Sequence, residues 1–150
     1  MEIFSFIYSW LVDMYGSDLD QFLTNSTSAE GMNYFTIGIV VVLVSLVLPA
    51  LYYKAIDKPS WNHWWCWLLT LVLTSVINFI YASQTTLQNL YDGYMDVVDE
   101  STGDMVTYVT ENNCYMFGVA TVILTVIAFC VFSYILHFFS VNVKYSPFSK

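Results

Sequence analysis

The chain has 150 residues, of which 57% are hydrophobic, 19% aromatic and only 11% charged, with a net charge of −8 and no arginine. A soluble domain carries about 25% charged residues, and nucleic-acid binding needs clustered Lys and Arg. Composition therefore argues against a water-soluble globule and against a nucleic-acid partner; the length suits one small domain.

The N-terminus reads Met1-Glu2-Ile3, acidic where a secretory signal has a basic region, and no small-residue cleavage site follows, so it is expected to be retained. Residues 2–24 read as amphipathic: Ile3, Phe6, Ile7, Trp10, Leu11 and Met14 make one face, while Glu2, Ser5, Ser9, Asp13 and Asp20 fall mostly elsewhere. The apolar run is too short to span, which predicts an interfacial helix lying on the outer membrane surface or packed on other helices. A linker, TNSTS at 24–28, follows; its Asn25-Ser26-Thr27 is a glycosylation sequon, meaningful only in a eukaryotic secretory pathway.

Three stretches free of Asp, Glu, Lys and Arg then account for the composition, at about 34–53, 64–81 and 115–139. A spanning helix needs about 20 mostly apolar residues. Three buried core helices are the alternative, but too little polar sequence remains to cover such a core. The first stretch carries Gly38, Ser45 and Pro49, the proline placed to kink it near its end.

The second opens with four tryptophans in seven positions, WNHWWCW at 61–67. At about 100° per residue, Trp61, Trp64 and Trp65 face one way, and Asn62, His63, Cys66, Thr70 and Thr74 the other; Trp67 and Ser75 do not fit this division. Directly after Lys58-Pro59, the cluster reads as an interfacial anchor, with the indole ring in the apolar boundary and its N–H toward water. A metal nest of His63, Cys66 and His137 is the chemical alternative; with no carboxylate or CxxC spacing it is a weak signal, and the expectation is no metal and no cofactor.

Along the second stretch Asn62, Cys66, Thr70, Thr74, Asn78 and Ala82 recur every four residues. Small or hydrogen-bonding side chains so spaced form a ridge along which helices approach closely. The third stretch carries Gly118, Thr121, Thr125 and Ala128 at three- and four-residue steps. These faces either join the helices to each other or to a partner, or the polar stripe of the second lines a water-filled path in an oligomer. Asn78 discriminates, because an amide in hydrocarbon needs a partner or water. No carboxylate lies within the spans, which argues against a proton pump or coupled transporter.

Between the second and third stretches, residues 94–110 (YMDVVDESTGDMVTYVT) hold two alternating β-rich runs about a turn at 100–104, with Gly103 at a positive-φ position. The hairpin, with Tyr94, Asp96, Asp99 and Tyr108, is a candidate partner-binding surface. A lone two-stranded hairpin is marginal in water and needs something to pack on. Cys114 is expected either to link two subunits or to be a buried thiol at the top of the third span.

All four lysines lie in two places: Lys54 and Lys58 between the first two spans, Lys144 and Lys150 after the third. The positive-inside rule then predicts a plasma (inner) membrane protein with its N-terminus out and C-terminus in. The expected organisation is 1–33, extracytoplasmic helix and linker; 34–83, transmembrane hairpin; 84–114, acidic extracytoplasmic β-hairpin; 115–150, third span and short tail.

The fold class is thus an all-α integral membrane protein with three transmembrane helices, an N-terminal amphipathic interfacial helix and a small β-hairpin. No nucleophile–base pair, phosphate loop or paired carboxylates in a pocket is visible, so a non-enzymatic role is expected. The bilayer is one partner. The first functional reading is an oligomer, or a subunit or scaffold of a larger membrane assembly, bound to its own copies or to other membrane subunits. The second is a self-assembling pore, holin-like or a defence effector, with Thr70, Thr74 and Asn78 along its lumen. A surface receptor using the hairpin is the third.

Overall fold

The computed structural model describes residues 2–25, 33–55, 64–98 and 103–137. In chain order these form α1 (Glu2–Ser9), α2 (Val12–Tyr15), α3 (Ser17–Asn25), α4 (Tyr34–Ala55), α5 (Trp64–Tyr91), β1 (Asp96–Val98), β2 (Met105–Thr107) and α6 (Glu111–His137).

Helices α4, α5 and α6 are long and apolar enough to cross a membrane. At about 1.5 Å per residue they reach about 33, 42 and 40 Å, against a hydrocarbon core of about 30 Å. Only 22–33% of each apolar stretch is buried within the chain. The remainder presents Leu43, Leu69, Val76, Ile127 and Val131 outward. A core helix of a soluble protein would hide these side chains from water; here they need hydrocarbon. The chain is a multi-pass membrane protein.

The ends of the spans follow local chemistry. Asn33 accepts from the backbone N–H of Thr36 (3.1 Å) and from its hydroxyl (3.2 Å), satisfying donors that open α4. Pro49 lies inside α4 and removes one helical hydrogen bond there. Helix α5 runs ten residues beyond the expected end at Tyr81. In this polar stretch the hydroxyls of Ser83 and Thr86 donate to the carbonyls of Phe79 (2.6 Å) and Ala82 (2.9 Å), so the side chains are satisfied without breaking the helix. Helix α6 begins four residues before the expected Tyr115, where Thr110 donates to Asn113 Oδ1 (2.6 Å).

The N-terminal expectation needs correction. Residues 2–25 are three short helices rather than one amphipathic helix. The chain turns at Trp10–Leu11 and again at Gly16, whose φ of +94° suits glycine. The side that packs inward carries Tyr8, Tyr15, Leu19 and Leu23, whereas Phe6, Ile7 and Trp10 are exposed.

The chain divides into two compact units. The first holds residues 1–39 and 79–121. In it α5 and α6 pack antiparallel, with Gly118 against Phe79 and Ser83 and the Tyr91 hydroxyl donating to Glu111 (2.6 Å). The second holds 40–78 and 122–150, where Asn78 meets Thr125 and Trp67 meets Ser133.

The hairpin lies in the first unit. β1 and β2 pair antiparallel, with Asp96 opposite Thr107, Val97 opposite Val106 and Val98 opposite Met105. Gly103 has φ +73°, as the turn requires. Met95 and Val109 at its base are buried; Val97, Val98 and Met105 are exposed.

Candidate functional site

In the second unit the polar stripe of α5 converges on Asn78, which is fully buried. Its Nδ2 donates toward Thr125 Oγ1 (3.0 Å), Ser45 Oγ (3.2 Å) and the carbonyl of Val41 (3.4 Å). Its Oδ1 has no hydrogen-bond partner among the described residues. One turn earlier Thr74, also fully buried, donates to the carbonyl of Thr70 (2.7 Å), and Thr70 donates to that of Cys66 (2.8 Å). Cys66 and Thr70 are half-buried. The single chain thus closes α4 and α6 over Thr74 and Asn78.

A second junction in the same unit centres on Ser133, whose Oγ accepts from Trp67 Nε1 (2.7 Å) and pairs with the Tyr53 hydroxyl (2.7 Å). Trp67 also meets Phe129 edge-on, ring centroids 5.5 Å apart. This is why Trp67 does not share the face of Trp64 and Trp65, which stack at 4.3 Å and are exposed. Ser75, on the tryptophan side, donates to the Leu71 carbonyl (2.9 Å), which satisfies it toward lipid. Trp61, Asn62, His63 and Asp99 lie outside the described residues, so the proposed His63–Cys66–His137 arrangement does too. Among the described residues no group of three or more His, Cys, Asp or Glu gathers.

In the first unit Gly118 and Thr121 are buried. Thr121 donates to the Phe117 carbonyl (2.9 Å) and pairs with the Tyr8 hydroxyl (3.3 Å). Tyr8 stacks on Tyr34 at 5.1 Å and lies against Phe117, also at 5.1 Å. Tyr34 donates to Asp20 Oδ1 (2.6 Å), and the Tyr15 and Tyr34 hydroxyls pair at 2.7 Å. Burial pushes the Tyr8 phenol from 10 up to about 12, opposed by its bond to Thr121. Burial likewise raises Tyr15, opposed by its bond to Tyr34 and reinforced by the charge of Asp20. Helical periodicity does not reveal this cluster, because the turn at Trp10–Leu11 separates Tyr8 from Tyr15.

Cys114 is fully buried and carries a free thiol. Of the hairpin residues, Tyr94, Asp96 and Tyr108 are exposed, and the Thr107 hydroxyl donates across the strands to Asp96.

The fold and these contacts define a multi-pass membrane protein whose span polar groups meet within one chain. No family model, curated protein or solved structure matches the chain.

Proposed function

We propose that the chain is a non-enzymatic subunit of a larger membrane assembly, docked through its hairpin. The observation that carries this reading is the exposure of Val97, Val98 and Met105, the last at 75%, on a sheet of two strands whose outer edges pair with no other strand among the described residues. An exposed apolar sheet with free edges is a template for another strand. Asp92, Asp96 and Asp104 are exposed around it, and Asp99 and Glu100 lie in its turn sequence. Two copies of so acidic a surface repel, so the partner is a different subunit with a basic, partly apolar soluble face.

The orientation proposed is N-terminus out, C-terminus in. The contacts of Tyr53 and Trp67 with Ser133 gather the end of α4, the start of α5 and the end of α6. These three helix ends therefore meet in one place, which agrees with a shared cytoplasmic side. Exposed Trp64 and Trp65 support the interfacial anchor there. The pore reading is the weaker one, because Thr74 and Asn78 would have to face a lumen and both are fully buried in one chain.

A photo-crosslinking side chain at Met105 tests this reading in native membranes. The expected result is an adduct with a single other membrane protein, lost when Asp92, Asp96 and Asp104 become Lys. Adducts with its own copies alone, or adducts that survive charge reversal, contradict it.

A further inference from the structure

Helix α1 is apolar on both sides. Toward the protein, the ring of Phe4 occupies the space a Cβ on Gly38 would take, and Tyr8 packs on Tyr34 and Phe117. On the other side Phe6 and Trp10 are 64% and 78% exposed, with Ile7 beside them, and their two rings meet edge-on at 6.0 Å. From Ile3 to Val12 the sequence, IFSFIYSWLV, has no charge. Ser9, one of its two serines, donates to the Phe6 carbonyl (2.7 Å) and needs no water. A helix resting on a protein surface in water carries a polar outer face; this one does not.

Position points the same way. Gly38 is four residues into α4 and Thr121 ten residues into α6, about 6 Å and 15 Å along their axes. Helix α1 therefore packs alongside the spans and not above their first turns. Phe4 also meets Phe35 edge-on at 6.1 Å, and Phe35 is exposed on the first turn of α4. Helix α1 thus borders the lipid-facing surface of a span.

We propose that residues 3–12 form a fourth, non-spanning membrane segment seated in one leaflet, with Phe6, Ile7 and Trp10 in contact with acyl chains. Helix α1, eight residues long before the turn at Trp10–Leu11, reaches about 12 Å, less than half the hydrocarbon thickness. The occupant of the face is lipid hydrocarbon, since the segment offers neither charge nor a free side-chain donor row to a soluble protein. The inference rests on the membrane-spanning helices and is independent of the hairpin's partner.

The test uses the full chain in phosphatidylcholine vesicles. The fluorescence difference between wild type and Trp10→Phe reports Trp10 alone. It is expected to be quenched by lipid brominated in the upper acyl chain and unaffected by iodide. Quenching by iodide and not by bromolipid would place the face in water, and quenching by neither would place it under protein; either overturns the proposal. As a second measure, with the native cysteines replaced by alanine, a membrane-impermeant maleimide is expected to label Asp13→Cys and not Ile7→Cys until detergent is added. Equal labelling of the two in vesicles overturns it as well.

Discussion

Asn78 has two N–H protons and three acceptors within reach, yet its Oδ1 is buried without a partner among the described residues. The amide is therefore incompletely satisfied, and its net worth is small. Interhelical hydrogen bonds in membranes average about 0.6 kcal/mol, and removing an orphaned acceptor offsets part of the loss. Ser45 and Thr125 can donate instead to carbonyls one turn back in their own helices. Asn78→Leu, of similar volume, is expected to change stability by no more than about 1 kcal/mol, measured by denaturing-detergent titration; a much larger loss would show that Oδ1 has a partner as well. The tyrosine cluster makes a different prediction. Its Tyr8 phenol is held neutral, with a folded value near 12 against the ordinary 10. The folded chain therefore binds more protons than the unfolded one between those values, and stability falls as pH rises across that window. Stability is expected to be unaffected by this group below pH 10 and to decline from pH 10 to 12, with phenolate absorbance of Tyr8 emerging only at the upper end. Tyr8→Phe removes the Tyr8 share of that decline.

At the scale of elements, helix contacts are set by small residues. A Cβ on Gly118 would stand 2.9 Å from the Phe79 ring and 3.2 Å from the Ser83 Cβ. Gly118→Ala is expected to cost about 1–3 kcal/mol by overpacking, more than Asn78→Leu in the same titration; equal stability to wild type would mean that α5 and α6 are not held at this distance. How much was legible in the sequence follows from such cases. Thr74, Asn78, Gly118, Thr121 and Thr125 were visible because small and polar residues stand out at helical spacing within apolar runs. Tyr8, Tyr34 and Ser133 were not, because a tyrosine or serine near a span end looks the same whether it faces lipid, water or another helix. The extension of α5 to Tyr91 was missed for a related reason: hydropathy marks where a helix leaves the bilayer, whereas Ser83 and Thr86 continue it by bonding to their own backbone. The single amphipathic N-terminal helix failed because α1 is apolar on two sides, so the exposed face passed for the packed one.

For the molecule as a whole, the three spans were readable from length and charge alone, since no other arrangement accommodates so many outward Leu, Ile and Val side chains. The sequence could not choose between polar residues that join helices and polar residues that line a lumen, because both have the same periodicity. The burial of Thr74 and Asn78 within one chain supports the first. The most direct measurement is membrane potential, by a voltage-sensitive dye, in cells induced to make this chain alone and, in parallel, its Asn78→Leu variant. An unchanged potential, with both proteins present in the membrane fraction, is the expected result. Depolarisation by the wild-type chain that Asn78→Leu abolishes would place the amide in a conducting path and contradict the assignment of this stripe to helix packing.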